Sequence, residues 1–223
     1  MTSSHPSSHD RRVRHRAGEL WLQAALAEHA SIASFARFVQ ELMALAAPPD
    51  LIAAALRAGL DEVTHAQASF QIAAELLGEP VGPTSMPLVP PRQLSIPELA
   101  LNTFEEACVE ESLGALVAVR AAELCTHAAI RDALQKIANE EAQHAELAWR
   151  TVQWALTTPQ AEQVRASIAA RVAAQTKPQP MQFTGPLEED LLAFGIISGQ
   201  ALGKLEQQAW TDIIVPLWTE IEG

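Results

Sequence analysis

Apolar residues recur at three- and four-residue intervals from about Gly18 to Ala46, placing Trp21, Ile32, Phe35, Val39 and Leu42 on one stripe. That period predicts an amphipathic helix with one buried face. Pro48-Pro49 ends it, because proline lacks the amide proton and clashes with the preceding turn. A second helix is predicted from its cap at Asp50 to about Leu77. The turn between them is short, which makes the two helices antiparallel neighbours. From Gly78 to Leu94 the pattern fails, and Pro80, Pro83, Pro87, Pro90 and Pro91 mark a connection. Its seventeen residues, at up to ~3.3 Å each, reach roughly 55 Å. That is long enough to travel the length of a helix bundle, so a third helix can start at the end where the second one began. Ser95, Pro97 and Glu98 form an opening cap for the third helix, which ends near Cys125 to His127. A fourth helix runs on to about Leu156.

Beyond Pro159 two further helical stretches are predicted, 161–175 and 188–210, separated by a loop with Pro178, Pro180 and Pro186. Gly195, Gly199 and Gly203 fall four apart, on one face of the second stretch. Small residues there would admit a close neighbour, either the bundle or a second copy in a homodimer. Trp210 and Trp218 are expected to anchor the chain end. The predicted fold is therefore all-α. Residues 17–223 form a single domain, a four-helix bundle core over about 17–157 with one long crossover, plus a C-terminal helical extension over about 160–223.

Composition narrows the reading. A chain of 223 residues, 48% hydrophobic, can build a sizeable core. The net charge is −12, and the first 16 residues contribute +3 through four Arg and one Asp, leaving −15 on the rest. An acidic body of this kind repels nucleic acid, so no nucleic-acid partner is expected. The polar segment 1–16 has no apolar run, cannot act as a secretory signal, and reads as a disordered basic tail. No stretch is long enough for a membrane span. A cytoplasmic location is expected, with Cys108 and Cys125 as reduced thiols.

The candidate chemistry lies in two Glu-x-x-His motifs, Glu62 to His65 and Glu141 to His144. An i, i+3 step on a helix of ~3.6 residues per turn puts both side chains on one face. Glu28 stands 34 residues before Glu62, and Glu111 stands 30 before Glu141. Either spacing fits a helix, a turn and a return to the same height. Four carboxylates and two imidazoles then converge, and four negative charges balance two divalent ions. An oxygen-rich set with some imidazole suits iron or manganese better than structural zinc. In the third helix Glu110 competes with Glu111, but Glu111 shares a face with Phe104, Cys108, Ala115 and Ala118. Glu141 is preferred to Glu140, which stands about 100° around the helix and not three before a histidine. His29 and His127 lie outside the motif. Ser31 and Gly114, three residues after Glu28 and Glu111, are small, which fits either room for oxygen or substrate beside the site or ordinary close helix packing.

On these residues, the chain over about 17–157 resembles the ferritin-like di-iron carboxylate superfamily, whose sites combine one Glu from each of two helices with Glu-x-x-His from each of the other two. The resemblance implies two iron ions, with manganese as the alternative, held by Glu28, Glu62, His65, Glu111, Glu141 and His144. It also implies that Glu62 and Glu141 bridge the metals and that the remaining four ligands complete the two ends. The expected activity is that of a di-iron oxidase or oxygenase activating dioxygen to oxidise a small molecule. Ferroxidase with iron storage, and manganese catalase or peroxidase acting on peroxide, share the same ligand logic. The absence of Tyr separates the chain from tyrosyl-radical members, and the absence of Cys-x-x-Cys separates it from those with a rubredoxin-type iron. The acidic surface is at odds with the branch that hydroxylates tRNA.

Overall fold

A computed structural model of the chain describes residues 7–174 and 188–222. All regular structure among them is helical. Helix α1 is Ser8–Ala44, α2 is Pro49–Leu77, and α4 is Ala128–Leu156. Between the last two lies α3, residues 96–124, which is α-helical over Ile96–Thr103 and Glu110–Leu124 with a π-helical turn at Phe104–Val109. The extension comprises α5 (Ala161–Ala174), a short α6 (Glu188–Leu191) and α7, residues 199–222.

The first helix starts about ten residues earlier than the hydrophobic pattern predicts, so Arg11, Arg12, Arg14 and Arg16 are helical and not part of a tail. Ser7 and Asp10 form a capping box that satisfies the free amides of the first turn. Val13 and Ala17 are buried in the first three turns, and the Arg14 guanidinium donates to the carbonyl of Glu75. The rest of the expected tail, Met1–Pro6, lies outside the described residues, as do Pro178, Pro180 and Pro186.

Packing at the two ends fixes the helix directions. At one end Val13 and Trp21 from the start of α1 meet Ile72 and Leu76 from the end of α2, Ala121 and Cys125 from the end of α3, and Ile130 from the start of α4. At the other, Leu42 from the end of α1 meets Leu51 from the start of α2, Leu99 from the start of α3 and Leu147 from the later half of α4. Hence α2 and α3 run in the same direction, opposite to α1 and α4. The segment between Leu77 and Ile96 spans the bundle lengthwise, as its proline content and reach imply. Leu42, Leu99 and Phe104 are at most 1% exposed, and each such burial contributes roughly 1.5–3 kcal/mol.

The crossover is clamped where it meets the bundle. Glu41, whose side chain is wholly buried, accepts from Arg92 three times, from the backbone amide at 3.0 Å, from Nε at 2.9 Å and from Nη2 at 3.1 Å. Arg92 also donates to Glu106 of α3 at 2.9 and 3.3 Å. One guanidinium thus ties the connection to α1 and α3 together.

The extension packs on the bundle. Val164 and Ile168 of α5 and Ile214 and Trp218 of α7 join Phe104, Trp149 and Val152 in a common core. Trp218 is the buried anchor of the chain end, and Trp210 is partly buried against the same core. The stretch 188–210 is not one helix, so the three glycines share no helical face. Gly195 breaks it, because its φ of 74° lies in the left-handed region that a side chain disfavours. A Cβ at that position would also stand 2.5 Å from Leu134 Cδ1.

Candidate metal centre

The antiparallel pair α1 and α2 and the antiparallel pair α3 and α4 bring the six predicted side chains together at mid-bundle. Glu62, His65 and His144 are at most 2% exposed in their side chains, Glu141 10%, Glu111 19% and Glu28 22%. Two groups with metal-ligand spacing result, Glu28, Glu62, His65 and Glu141 in one, and Glu111, Glu141 and His144 in the other. Glu141 belongs to both. Its Oε1 lies 3.3 Å from His65 Nδ1 and its Oε2 3.7 Å from His144 Nδ1. Glu62 Oε1 likewise stands 3.7 Å from His65 Nδ1 and 3.2 Å from His144 Nδ1. Glu28 approaches only His65 (3.9 Å), and Glu111 approaches only His144 (4.0 Å). Each terminal carboxylate therefore belongs to one end, and each Glu-x-x-His glutamate faces both.

The face of α3 is settled by burial. Glu110 is exposed, whereas Glu111 turns into the cluster. The π-helical turn ends immediately before them. Such a turn inserts one residue and rotates the following register by about 100°, so the face of Leu99 and Ala100 cannot simply be extrapolated to Glu111. Cys108 is a free thiol buried among Phe104, Val109 and Trp149 and belongs to the core. His127 is exposed and stacks on Phe194 at 4.3 Å. Gly114 sits against Glu141, where a Cβ would find Oε2 at 3.7 Å, an ordinary contact.

Two participants escape the motif reading. Glu140 does not point away, because its Oε2 accepts from His65 Nε2 at 2.9 Å and from Lys136 at 2.9 Å. Asp61 does the same for the other imidazole, with Oδ2 3.4 Å from His144 Nε2. The residue before each motif glutamate thus holds the histidine of the opposite motif. With Nε2 engaged, Nδ1 of each ring faces the cluster, which fixes the orientation that a metal-ligating imidazole requires. The signal in the sequence was the acidic residue directly before Glu62 and Glu141.

Several buried atoms here have no hydrogen-bond partner, namely Nδ1 of His65, Nδ1 of His144 and Glu62 Oε2. Such atoms are costly to leave unsatisfied, and a cation between them would satisfy all three. Electrostatics agree. Burial, then the charge of Glu62, pushes Glu28 up to about 8. Burial, then the contact with Glu141, pushes Glu111 well up. Burial opposes charge on the imidazoles but is outweighed by Glu141 and Glu140 at His65, raised to about 8, and by Glu141 and Glu62 at His144, raised to about 10. Glu141 is held low despite its burial, through His144 and His65. These shifts all favour added positive charge among the four carboxylates, which a bound cation would also supply. Four carboxylates and two imidazole nitrogens fit hard or borderline divalent ions.

A half-open cavity of about 250 Å³ adjoins one end of the cluster. Glu111 and His144 form part of its lining, Phe35, Phe38, Leu147 and Ala148 are apolar walls, and Arg37, Arg92 and Glu106 contribute charge. Phe35 also meets the ring of His144 edge-on at 5.2 Å.

No family model, no curated protein and no solved structure matches the chain. Over its described residues the chain is all-helical, with a buried carboxylate and histidine cluster able to hold a metal ion. No helix among the described residues is long and apolar enough to cross a membrane.

Proposed function

We propose that the chain is a ferritin-like di-iron carboxylate oxidoreductase that uses dioxygen to oxidise a small molecule. The observation that carries this reading is the placement of Glu141, which presents one oxygen to each histidine and belongs to both ligand groups. A carboxylate so divided suits two ions side by side and wastes half its capacity on one. The helix directions, with α2 parallel to α3 through a long crossover, support the ferritin-like assignment.

Glu28 and His65 would hold one ion, Glu111 and His144 the other, and Glu62 and Glu141 both. Paired iron would supply the electrons that dioxygen takes up. The chain's own residues contribute position and exclusion. Glu140 and Asp61 hold the imidazoles with Nδ1 inward, and Phe35 covers His144.

Oxidation of a small molecule is favoured over iron storage by the cavity, which gives an organic ligand, and not only an ion, a path to Glu111 and His144. The test is anaerobic loading with ferrous ion followed by oxygen uptake. Consumption of oxygen by a discrete low-order oligomer containing two irons per chain is the expected result. Assembly into a mineral-filled cage would replace it with storage, and rapid peroxide loss by manganese-loaded protein would replace it with a catalase.

A further inference from the structure

The cavity beside Glu111 holds one cation whose hydrogen-bonding capacity is unused. Arg37 and Arg92 lie together with Glu41 and Glu106, two cations and two carboxylates, but the hydrogen bonds are divided unequally. Arg92 makes five, three to Glu41 and two to Glu106. Arg37 approaches the same carboxylates only at 3.8 and 3.9 Å, beyond hydrogen-bond distance. Its side chain is 20% exposed, and its Nε is buried with no partner. An arginine fork left in this state is a receptor for a planar, bidentate acceptor.

The rest of the cavity says what that acceptor is attached to. Phe35, Phe38, Leu147 and Ala148 give it an apolar interior, and Ser34 and Thr103 add hydroxyls. A volume of about 250 Å³ falls below the ~300 Å³ at which drug-sized ligands are accommodated. The occupant is therefore small. We infer that this cavity binds a small carboxylic acid with an apolar body, its carboxylate on Arg37 and its body directed towards Glu111 and His144. This assignment rests on the oxidoreductase reading for its role as substrate, although binding itself does not require metal. It places the apolar body, and not the anchored carboxylate, beside Glu111 and His144.

Calorimetric titration with hexanoate, hexanamide and hexan-1-ol, on metal-free and on manganese-loaded protein, tests it. Hexanoate should saturate one site per chain in both forms and bind at least about tenfold more tightly than hexanamide. Arg37→Gln should remove that preference and leave hexanol binding within about threefold. Arg37→Lys, which keeps the charge and loses the fork, should retain part of it. Ser34→Trp, at an exposed position on the cavity wall, should weaken all three ligands while leaving manganese stoichiometry unchanged. Hexanamide binding as tightly as hexanoate, or hexanoate binding indifferent to both Arg37 variants, would overturn the assignment. Hexanoate binding without any metal uptake would defeat the two-metal reading instead, and metal uptake without hexanoate binding would defeat the cavity assignment alone.

Discussion

His65 on α2 donates from Nε2 to Glu140 on α4 at 2.9 Å, and the relation is answered in reverse by His144 on α4 and Asp61 on α2 at 3.4 Å. The two Glu-x-x-His helices therefore brace each other's imidazoles. Removing a carboxylate that orients a ligating histidine typically costs about 10–100-fold in metal affinity. Glu140→Gln and Asp61→Asn should each weaken metal binding by about that factor without changing the number of ions bound. Competitive titration against a chromogenic chelator measures it. An unchanged affinity in both variants would mean that the brace has no part in the site.

Ligand stoichiometry separates the buried glutamates from their exposed neighbours. Wild-type protein should take up two divalent ions per chain, and Glu141→Ala should take up at most one, because both groups lose a shared ligand. Glu110→Ala should still take up two, since that side chain is exposed. Elemental analysis after anaerobic loading and desalting reads the outcome directly. Saturation of the wild type at one ion would refute the paired centre.

Metal-free protein should lose stability as pH rises from about 5 to 9. His65, raised to about 8, and His144, raised to about 10, contribute stability that is full below the unfolded value of ~6.5 and is lost as pH climbs through the folded values. Glu28, raised to about 8, acts in the same sense, because its folded form holds a proton that the unfolded chain has already released. Thermal melts of metal-free protein across that range should therefore show a falling Tm. Metal should displace these protons, so its affinity should rise with pH, and calorimetry in buffers of different ionisation enthalpy should detect proton release. Glu28→Gln should raise metal-free stability at pH 7 while weakening metal binding.

The clamp on the crossover titrates the other way. Burial of Glu41 is outweighed by its bonds from Arg92, which hold its carboxyl below the usual range. A depressed carboxyl contributes stability above its unfolded value of ~4.3, and the contribution disappears as pH falls through the folded one. Glu41→Gln should cost about 3 kcal/mol at pH 7 and progressively less below pH 4. Urea denaturation of both proteins at the two pH values is the check. An equal difference at pH 7 and pH 3 would show that the charge on Glu41 contributes nothing.

Much of this molecule is legible in the one-dimensional pattern. Helical periodicity, the proline stops and the length of the connection between Leu77 and Ile96 are local properties, and local sterics enforce them whatever the chain packs against. The repeated spacing of Glu28, Glu62 and His65 and of Glu111, Glu141 and His144 is likewise a consequence of helix geometry, which puts i and i+3 on one face before any tertiary contact forms. That is why these six residues could be picked out together. What periodicity could not supply was whatever depends on a partner distant in sequence. The early start of α1 is decided by a capping box and by Val13 and Ala17 finding the ends of other helices. Gly195 breaks a predicted helix by taking a left-handed backbone conformation, packed against Leu134 and Ile130 of α4.

The same division runs through the site. The sequence by itself determined which donors are available and that they fall at one height in the bundle. The tertiary structure alone decided which carboxylates face both histidines, because that depends on how α2 and α4 are rotated against each other. It also turned Glu140 from a residue set aside into the partner of His65, and left Arg37 unbonded while Arg92 took the carboxylates of Glu41 and Glu106. A hydrogen bond requires distance and direction between groups that lie 75 residues apart in the chain in one case and 51 in the other, and only the packed helices set those.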